Sequence, residues 1–127
     1  MNNPLKILVI DDSPFILKAV KRAVEPQGHE IIGYADNGRS GVEMYEKYKP
    51  DIVTLDVTMP VMDGLETASS LMSKDPGVRI IMISAMGDET LVQCAQKIGV
   101  RHFVSKPFKP DNLLNTINDV IKKQLHK

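Results

Sequence analysis

Four points in the chain carry side chains suited to chemistry, and at each of them a short apolar run has just ended. These side chains are Asp11 with Asp12, then Asp56, Ser84 and Lys106. Carboxylates are hard oxygen ligands that suit Mg²⁺ or Mn²⁺, and no histidine or cysteine stands at these points to favour zinc. Carboxylates gathered about 5 Å apart repel one another by roughly 3 kcal/mol per pair at an effective dielectric of about 20. Such a group needs a cation, so the residues predict a divalent-metal site.

Asp56 is the candidate nucleophile, because it ends an apolar run and stands before a loop that contains Pro60. Beside a divalent metal, the ammonium of Lys106 and the hydroxyl of Ser84 can both contact phosphoryl oxygens. In such a site the cations neutralise these oxygens while the carboxylate attacks phosphorus. The predicted product is an acyl phosphate on Asp56.

These side chains converge only if the apolar runs are parallel strands. Strands are predicted over 5–10, 31–35, 51–56, 79–83 and 102–105, and helices over 14–25, 41–48, 65–73, 89–98 and 111–124. The alternation predicts an α/β fold, a three-layer α/β/α sandwich around a five-stranded parallel sheet with right-handed crossovers. Because the carboxyl ends of parallel strands lie at one edge, residues that follow strands one, three, four and five meet there. Spacing alone does not give the strand order.

Short signals are expected to fix the ends of the helices. Ser13 before Pro14 predicts a side-chain cap with proline in the first helical position, and Asp88 predicts a cap for the fourth helix. The pairs Asn37-Gly38 and Asp63-Gly64 are typical of turns. The last helix is expected to bury an apolar stripe of Leu114, Ile117, Val120 and Ile121.

Composition narrows the class of protein. The chain has 127 residues, 43% hydrophobic and 25% charged, which suits one domain with its own core, predicted to span 1–127. Sixteen basic and sixteen acidic residues give a formal net charge of zero, so no overall field attracts nucleic acid or anionic lipid. Cys94 is the only cysteine, which excludes an internal disulfide. Since the apolar runs are too short to cross a bilayer, we expect a cytoplasmic protein without nucleic-acid binding or membrane insertion.

A series of short motifs occurs in a characteristic order and spacing. They are Asp11-Asp12, Asp56 with Met59-Pro60 and Asp63-Gly64, Ser84-Ala85, and Lys106-Pro107-Phe108. Together they resemble the receiver domain of two-component response regulators, and the resemblance covers nearly the whole chain. It implies a flavodoxin-like sheet of order 2-1-3-4-5, which is taken over from the chemotaxis member CheY and not worked out from spacing. Within the family, the chain looks similar to the single-domain, CheY-type group.

The resemblance assigns roles to the residues around the candidate nucleophile. It implies that Asp56 accepts a phosphoryl group from a histidine kinase. Asp12, Asp56 and the backbone carbonyl of Thr58 would hold Mg²⁺ directly, with Mn²⁺ able to substitute, and Asp11 would contribute mainly through water. Thr58 and Met86 match positions that flank the attacking water in similar domains, and these residue types leave the lifetime of the acyl phosphate open.

The same resemblance implies how the domain responds. Lys106 would contact the phosphoryl group, the hydroxyl of Ser84 would close onto a phosphoryl oxygen, and the ring of Phe103 would follow that movement. The surface made by the fourth helix, fifth strand and fifth helix would then change, as a population shift biased by the new charge. Phe103 lacks the hydroxyl of the tyrosine found in many relatives, so packing alone would hold its inward state. The bond between Lys106 and Pro107 is expected to be cis.

The chain is expected to be a signalling phosphoacceptor and not an enzyme, although it assists its own phosphorylation and dephosphorylation. With no further domain expected after Lys127, the predicted output is contact with a protein such as the flagellar motor switch or a phosphatase. A phosphorelay intermediate stays open, as does dimerisation of a monomer on phosphorylation. A flavodoxin-like carrier is disfavoured because Asp11-Asp12 would repel a cofactor phosphate. An aspartyl-phosphate phosphatase of the haloacid dehalogenase type is disfavoured because Thr58 stands where such enzymes carry a second aspartate.

Overall fold

The computed structural model describes residues 4–57, 59 and 63–125, with side chains described as far as residue 122. Its elements in chain order are β1 (Lys6–Ile10), α1 (Pro14–Val24), a 3-10 turn (Glu25–Gln27), β2 (Glu30–Ala35), α2 (Gly38–Tyr48), β3 (Ile52–Asp56), α3 (Gly64–Lys74), β4 (Ile80–Ser84), α4 (Glu89–Ile98), β5 (His102–Ser105) and α5 (Pro110–Leu125). None of the helices in this described part of the chain combines the length and apolar character that a bilayer crossing requires.

The strands form one parallel sheet in the order β2-β1-β3-β4-β5. The parallel three-layer architecture predicted from the alternation of elements is confirmed, and so is the order that the family resemblance implies. β3 and β4 are buried along their whole length, which explains their nearly continuous apolar sequences, since a strand covered on both faces has no need to alternate.

The two faces of the sheet bury two separate clusters. On one face, Leu8, Val53 and Met82 pack with residues of α2, α3 and α4, which include Val42, Leu71 and Ala95. On the other face, Ile7, Val9, Ile52 and Ile81 pack with residues of α1 and α5, which include Val20, Leu113 and Ile117. The central strands are therefore packed on both faces. This close packing makes the backbone at the carboxyl ends of β1 and β3 rigid.

Two predicted caps are wrong in their contacts, although both helices begin where expected. Ser13 and Asp88 occupy the N-cap positions of α1 and α4, yet neither side chain accepts a hydrogen bond from its helix. The Asp88 carboxylate accepts the N–H of Ala85 at 2.8 Å and so closes the preceding loop. By contrast, Asn37 is more than a turn residue: it accepts the N–H of Ser40 at 2.9 Å, and α2 begins three positions before the predicted start.

The buried stripe of α5 includes a residue that the predicted stripe omits. Leu113 is fully buried, whereas Leu114 is only partly covered. Ile117 and Val120 are buried as predicted. The positions 113, 117 and 120 follow helical spacing. Because residues 113 and 114 are both apolar, helical periodicity alone does not show which of the two belongs to the buried stripe.

A polar contact joins α2 to the end of α3, away from the candidate site. The hydroxyl of Tyr45 donates to the carboxylate of Asp75 at 2.6 Å, and Asp75 also accepts the N–H of Gly77 at 3.0 Å. These hydrogen bonds, with that of Tyr45 as the largest cause, lower the pKa of Asp75 below its usual value. The contact therefore stabilises the fold while Asp75 is ionised.

We expect Tyr45→Phe to lower the free energy of unfolding at pH 7 by about 1 kcal/mol, the usual net value of one hydrogen bond. Because the pKa of Asp75 is lowered on folding, this contribution is present above the unfolded pKa of 3.8 and is lost as the pH falls through the folded pKa. Urea unfolding of both proteins at pH 7 and near pH 3 measures the difference. Tyr48→Phe, at a half-exposed ring, is the control, and a Tyr45→Phe cost that does not shrink in acid contradicts the assignment.

Candidate functional site

The side chains singled out in the sequence lie at the carboxyl edge of the sheet, where the backbone pairing continues beyond the regular strands. The N–H of Asp11 donates to the carbonyl of Ala35 at 2.9 Å, and the N–H of Lys106 donates to the carbonyl of Ser84 at 2.7 Å. These bonds fix the first residue after β1 and the first after β5. The peptide bond between Lys106 and Pro107 is cis, as expected.

Three carboxylates meet at this edge. One oxygen from each of Asp11, Asp12 and Asp56 can be chosen so that all three lie within 4.8 Å of one another. Asp11 and Asp56 are 1% and 3% exposed, whereas Asp12 is open to solvent. The predicted convergence is thus confirmed, and the donor set of hard carboxylate oxygens with one solvent-facing member fits a partly hydrated divalent cation such as Mg²⁺.

Lys106 supplies a positive charge next to the two buried carboxylates. Its Nζ lies 3.4 Å from Oδ1 of Asp56 and 3.9 Å from Oδ2 of Asp11. One ammonium cannot neutralise three carboxylates, so the cluster keeps an excess of negative charge. Such an excess of negative charge favours the binding of a divalent ion.

The repulsion between these buried carboxylates is seen in the pKa of Asp11. Burial, followed by the charge of Asp56, raises the pKa of Asp11 to about 7, against the opposing effects of a hydrogen bond from Ser13 and of Lys106. The Ser13 bond is 2.8 Å long and goes to Oδ1, while Oδ2 of Asp11 is buried and accepts no hydrogen bond within the described chain. A doubly charged cation would reverse the balance and favour the ionised carboxylate, which is a second reason why these residues fit a metal.

The two residues predicted to respond to phosphorylation share a groove beside Lys106. The groove has a volume of about 590 Å³ and is lined by Ser84, Met86, Val92, Phe103 and Lys106 among others. Ser84 is buried at the end of β4, and the half-buried ring of Phe103 packs against the sheet core. Met86 is 96% exposed. Thr58, predicted to offer its carbonyl to the metal, lies outside the described residues, so its role stays a prediction.

Sequence reasoning missed two contacts that shape the site. The first is the bond from Ser13 to Asp11, which orients a candidate metal ligand. The second is the return of the chain at Gly64, whose N–H donates to the carbonyl of Val57 at 3.1 Å. The pair Asp63-Gly64 signals only a turn, and no local pattern shows which backbone the turn will touch.

Residues 7–118 match the family model described as the response regulator receiver domain. The chain belongs to the response regulator receiver family. The sheet order alone would not have decided this, because flavodoxin-like proteins share it.

Two chemotaxis proteins are close relatives of this receiver. The chain is 43% identical to the chemotaxis protein CheY of Listeria monocytogenes over 118 residues, which cover 93% of this chain and 99% of that protein. It is 41% identical to CheY of Thermotoga maritima over 117 residues, which cover 92% and 98%. The receiver is therefore of the CheY type, and a chemotaxis role is supported.

A solved structure with the same fold is the CheX–CheY–BeF₃–Mg²⁺ complex of Borrelia burgdorferi. The TM-score is 0.87 and the identity 38%, with 93% of this chain and 90% of that chain covered. That crystal contains CheY together with a divalent ion, a beryllofluoride group and a protein partner. The likeness confirms the fold of this chain independently of the sequence match.

Proposed function

We propose that this protein is the phosphoacceptor of a two-component system in chemotaxis, in which Asp56 takes a phosphoryl group from a histidine kinase. The observation that carries the proposal is the meeting of Asp11, Asp12 and Asp56 at the carboxyl edge of the sheet, with the ammonium of Lys106 next to Asp11 and Asp56. A buried carboxylate next to a metal-ligand set and an ammonium has the parts that phosphoryl transfer needs.

Asp12, Asp56 and the backbone carbonyl of Thr58 would hold Mg²⁺, or Mn²⁺ in its place, with Asp11 acting through water. When bound, the ion neutralises phosphoryl oxygens. An oxygen of Asp56 attacks phosphorus, the bond from phosphorus to the kinase imidazole breaks, and the electron pair leaves with that nitrogen. Lys106 balances charge on the transferred group. The nucleophile is 3% exposed, which limits the access of competing water.

The response would begin in the groove next to the nucleophile. Ser84 is close enough in the fold to share this groove with Lys106, so its hydroxyl can donate to a phosphoryl oxygen once the group is in place. Phe103 lines the same groove, and a shift of the loop between β4 and α4 would change the packing of its ring. The acyl phosphate thus biases two arrangements of one surface.

The phosphorylated form would be read by another protein in the cytoplasm, such as a flagellar motor switch protein or a phosphatase. The relatives named above support this over a phosphorelay intermediate, because they are chemotaxis proteins. In the Borrelia complex a CheY pairs with a second protein, CheX. Deletion of the gene is expected to abolish the bias of motility, whereas a relay intermediate would instead pass its phosphoryl group to a histidine phosphotransfer protein.

Incubation with acetyl phosphate and Mg²⁺ is expected to raise the mass of the protein by one phosphoryl group. The increase should disappear with EDTA, because the transfer needs the cation, and in Asp56→Asn, because the amide is not a nucleophile. Asp119→Asn, at an exposed position on α5, is the matched control and should label like the wild type. Labelling that persists in Asp56→Asn would overturn the proposal.

A further inference from the structure

Gly64, the first residue of α3, lies unusually close to the backbone of the phosphoacceptor. A Cβ atom placed on Gly64 would lie 2.3 Å from the carbonyl oxygen of Asp56, 2.6 Å from Cα of Val57 and 2.6 Å from the carbonyl oxygen of Val57. All three neighbours are backbone atoms, which cannot turn aside as the tip of a side chain can. Gly64 is not among the described glycines with positive φ, which are Gly28, Gly87 and Gly99. Glycine is therefore required here by lack of space and not by the backbone conformation.

The close approach is fixed from the side of the helix. Asp63 accepts the N–H of Glu66 at 2.9 Å, and Glu66 in turn accepts the N–H of Asp63 at 3.4 Å, which together form a capping box. The hydroxyl of the buried Thr67 donates to the carbonyl of Asp63 at 2.7 Å. These bonds hold the shape of the first turn of α3, and the bond from the Gly64 N–H to the Val57 carbonyl ties that turn to the end of β3. An atom added at residue 64 must therefore push these two backbone segments apart.

The end of β3 is where displacement matters most. The Asp56 carbonyl and the Val57 peptide adjoin the Cα of the nucleophile, and the Gly64 N–H holds the Val57 carbonyl at 3.1 Å. A shift of this backbone would move the Asp56 carboxylate relative to Asp11, Asp12 and Lys106, which belong to other parts of the sheet edge.

We infer that Gly64 is a positioning residue for the phosphoacceptor: its lack of a side chain lets α3 close against Asp56 and Val57 and so sets where the Asp56 carboxylate meets its partners. The inference rests on the proposed function for its consequence in phosphoryl transfer. Its consequence for metal binding can be measured without any transfer.

The test compares Gly64→Ala with a variant that loses stability on the same helix without adding an atom against the backbone of Asp56 and Val57. Leu71→Ala serves, because Leu71 is fully buried in α3 and its truncation removes atoms from the core, which costs stability while Gly64 keeps its contact with the Asp56 backbone. Both variants are made in a Lys49→Gly background, which adds stability because Lys49 is a non-glycine residue at φ 48. Circular dichroism first establishes the conditions under which each variant is folded.

Two readouts are then taken on folded protein: Mg²⁺ affinity by calorimetry and the rate of phosphorylation by acetyl phosphate. We expect Gly64→Ala to bind Mg²⁺ about 10-fold more weakly, because changes to residues that orient metal ligands commonly weaken metal binding by at least this factor. We expect its phosphorylation to slow by about 10- to 100-fold, because small misplacements of reacting groups are costly. Leu71→Ala should stay near the background protein in both. A Gly64→Ala variant that matches Leu71→Ala in both readouts overturns the inference.

If Gly64→Ala does not fold, Asp63→Ala decides the question, because it removes the capping box without adding an atom. It should weaken Mg²⁺ binding, by less than the glycine variant would, and unchanged affinity overturns the inference.

The outcomes also separate the two proposals. Failure of the background protein itself to accept a phosphoryl group overturns the proposed function, whereas normal labelling with no effect at residues 63 and 64 overturns only the positioning role.

Discussion

In metal-free buffer at pH 8, Asp11→Asn is expected to unfold at a higher urea concentration than the wild type. Burial and the neighbouring Asp56 raise the pKa of Asp11 to about 7 from an ordinary value of 3.8. A raised carboxyl pKa means that ionisation opposes folding: the penalty is absent below about pH 4, grows between pH 4 and 7, and is complete above that. Removal of the charge should therefore stabilise the protein by a few kcal/mol, on the order of 3, at pH 8.

Urea unfolding of wild type and variant at pH 4.5 and pH 8, with EDTA present, measures this difference. The stability gain should be small at the lower pH and large at the higher one. The matched control is Asp119→Asn, which removes one exposed carboxylate from α5 and should change little at either pH. Saturating Mg²⁺ should narrow the gap, because the ion stabilises the folded wild type by binding it. A stability gain that is equal at both pH values contradicts the electrostatic account.

Lys106→Met is expected to shift stability and metal affinity in opposite directions. Loss of the ammonium at 3.4 Å from Asp56 and 3.9 Å from Asp11 leaves two buried carboxylates facing one another. At pH 8 in EDTA the free energy of unfolding should fall by about 2 kcal/mol. Mg²⁺ should bind about 10-fold more tightly, because a competing positive charge has left the site. Phosphorylation by acetyl phosphate should nevertheless slow by about 100-fold, since the charge on the transferred group is no longer balanced.

Three measurements check this combination: urea unfolding in EDTA, calorimetric titration with Mg²⁺, and the rate of mass increase with acetyl phosphate. Lys109→Met removes an exposed lysine from the loop that follows the site and should leave all three near the wild-type values. Weaker Mg²⁺ binding in Lys106→Met would show that this residue supports the ion and does not compete with it.

Much of the fold follows from local patterns. Nearly continuous apolar runs mark β1, β3 and β4 because each is covered on both faces, and their alternation with helix patterns leaves a parallel sheet as the consistent arrangement. Because parallel strands end at one edge, the same patterns also place Asp11, Asp56 and Lys106 at a common edge of the sheet, while their distances from one another depend on the strand order. The strand order required the family resemblance, because several orders satisfy the same spacing.

The rest depends on contacts between distant segments. The carboxylate of Asp88 could accept a hydrogen bond from its own helix or from the N–H of Ala85, as it does here. The path of the loop decides between the two, and the residue type does not. The neighbouring apolar residues Leu113 and Leu114 fit two stripes, and packing against the sheet selects the first. The need for glycine at position 64 comes from the backbone of Asp56, eight residues earlier, which no local signal can reveal.

The carboxylates and the ring of Phe103 lie on strands that differ in how firmly the sheet holds them. The three carboxylates follow β1 or end β3, and both of these inner strands are hydrogen-bonded to a neighbour on each side. Phe103, by contrast, is on β5, a four-residue strand that pairs with β4 alone. Amide protons of the inner strands should exchange with solvent slowest in both phosphorylation states, while those of β5 respond to the state of Asp56.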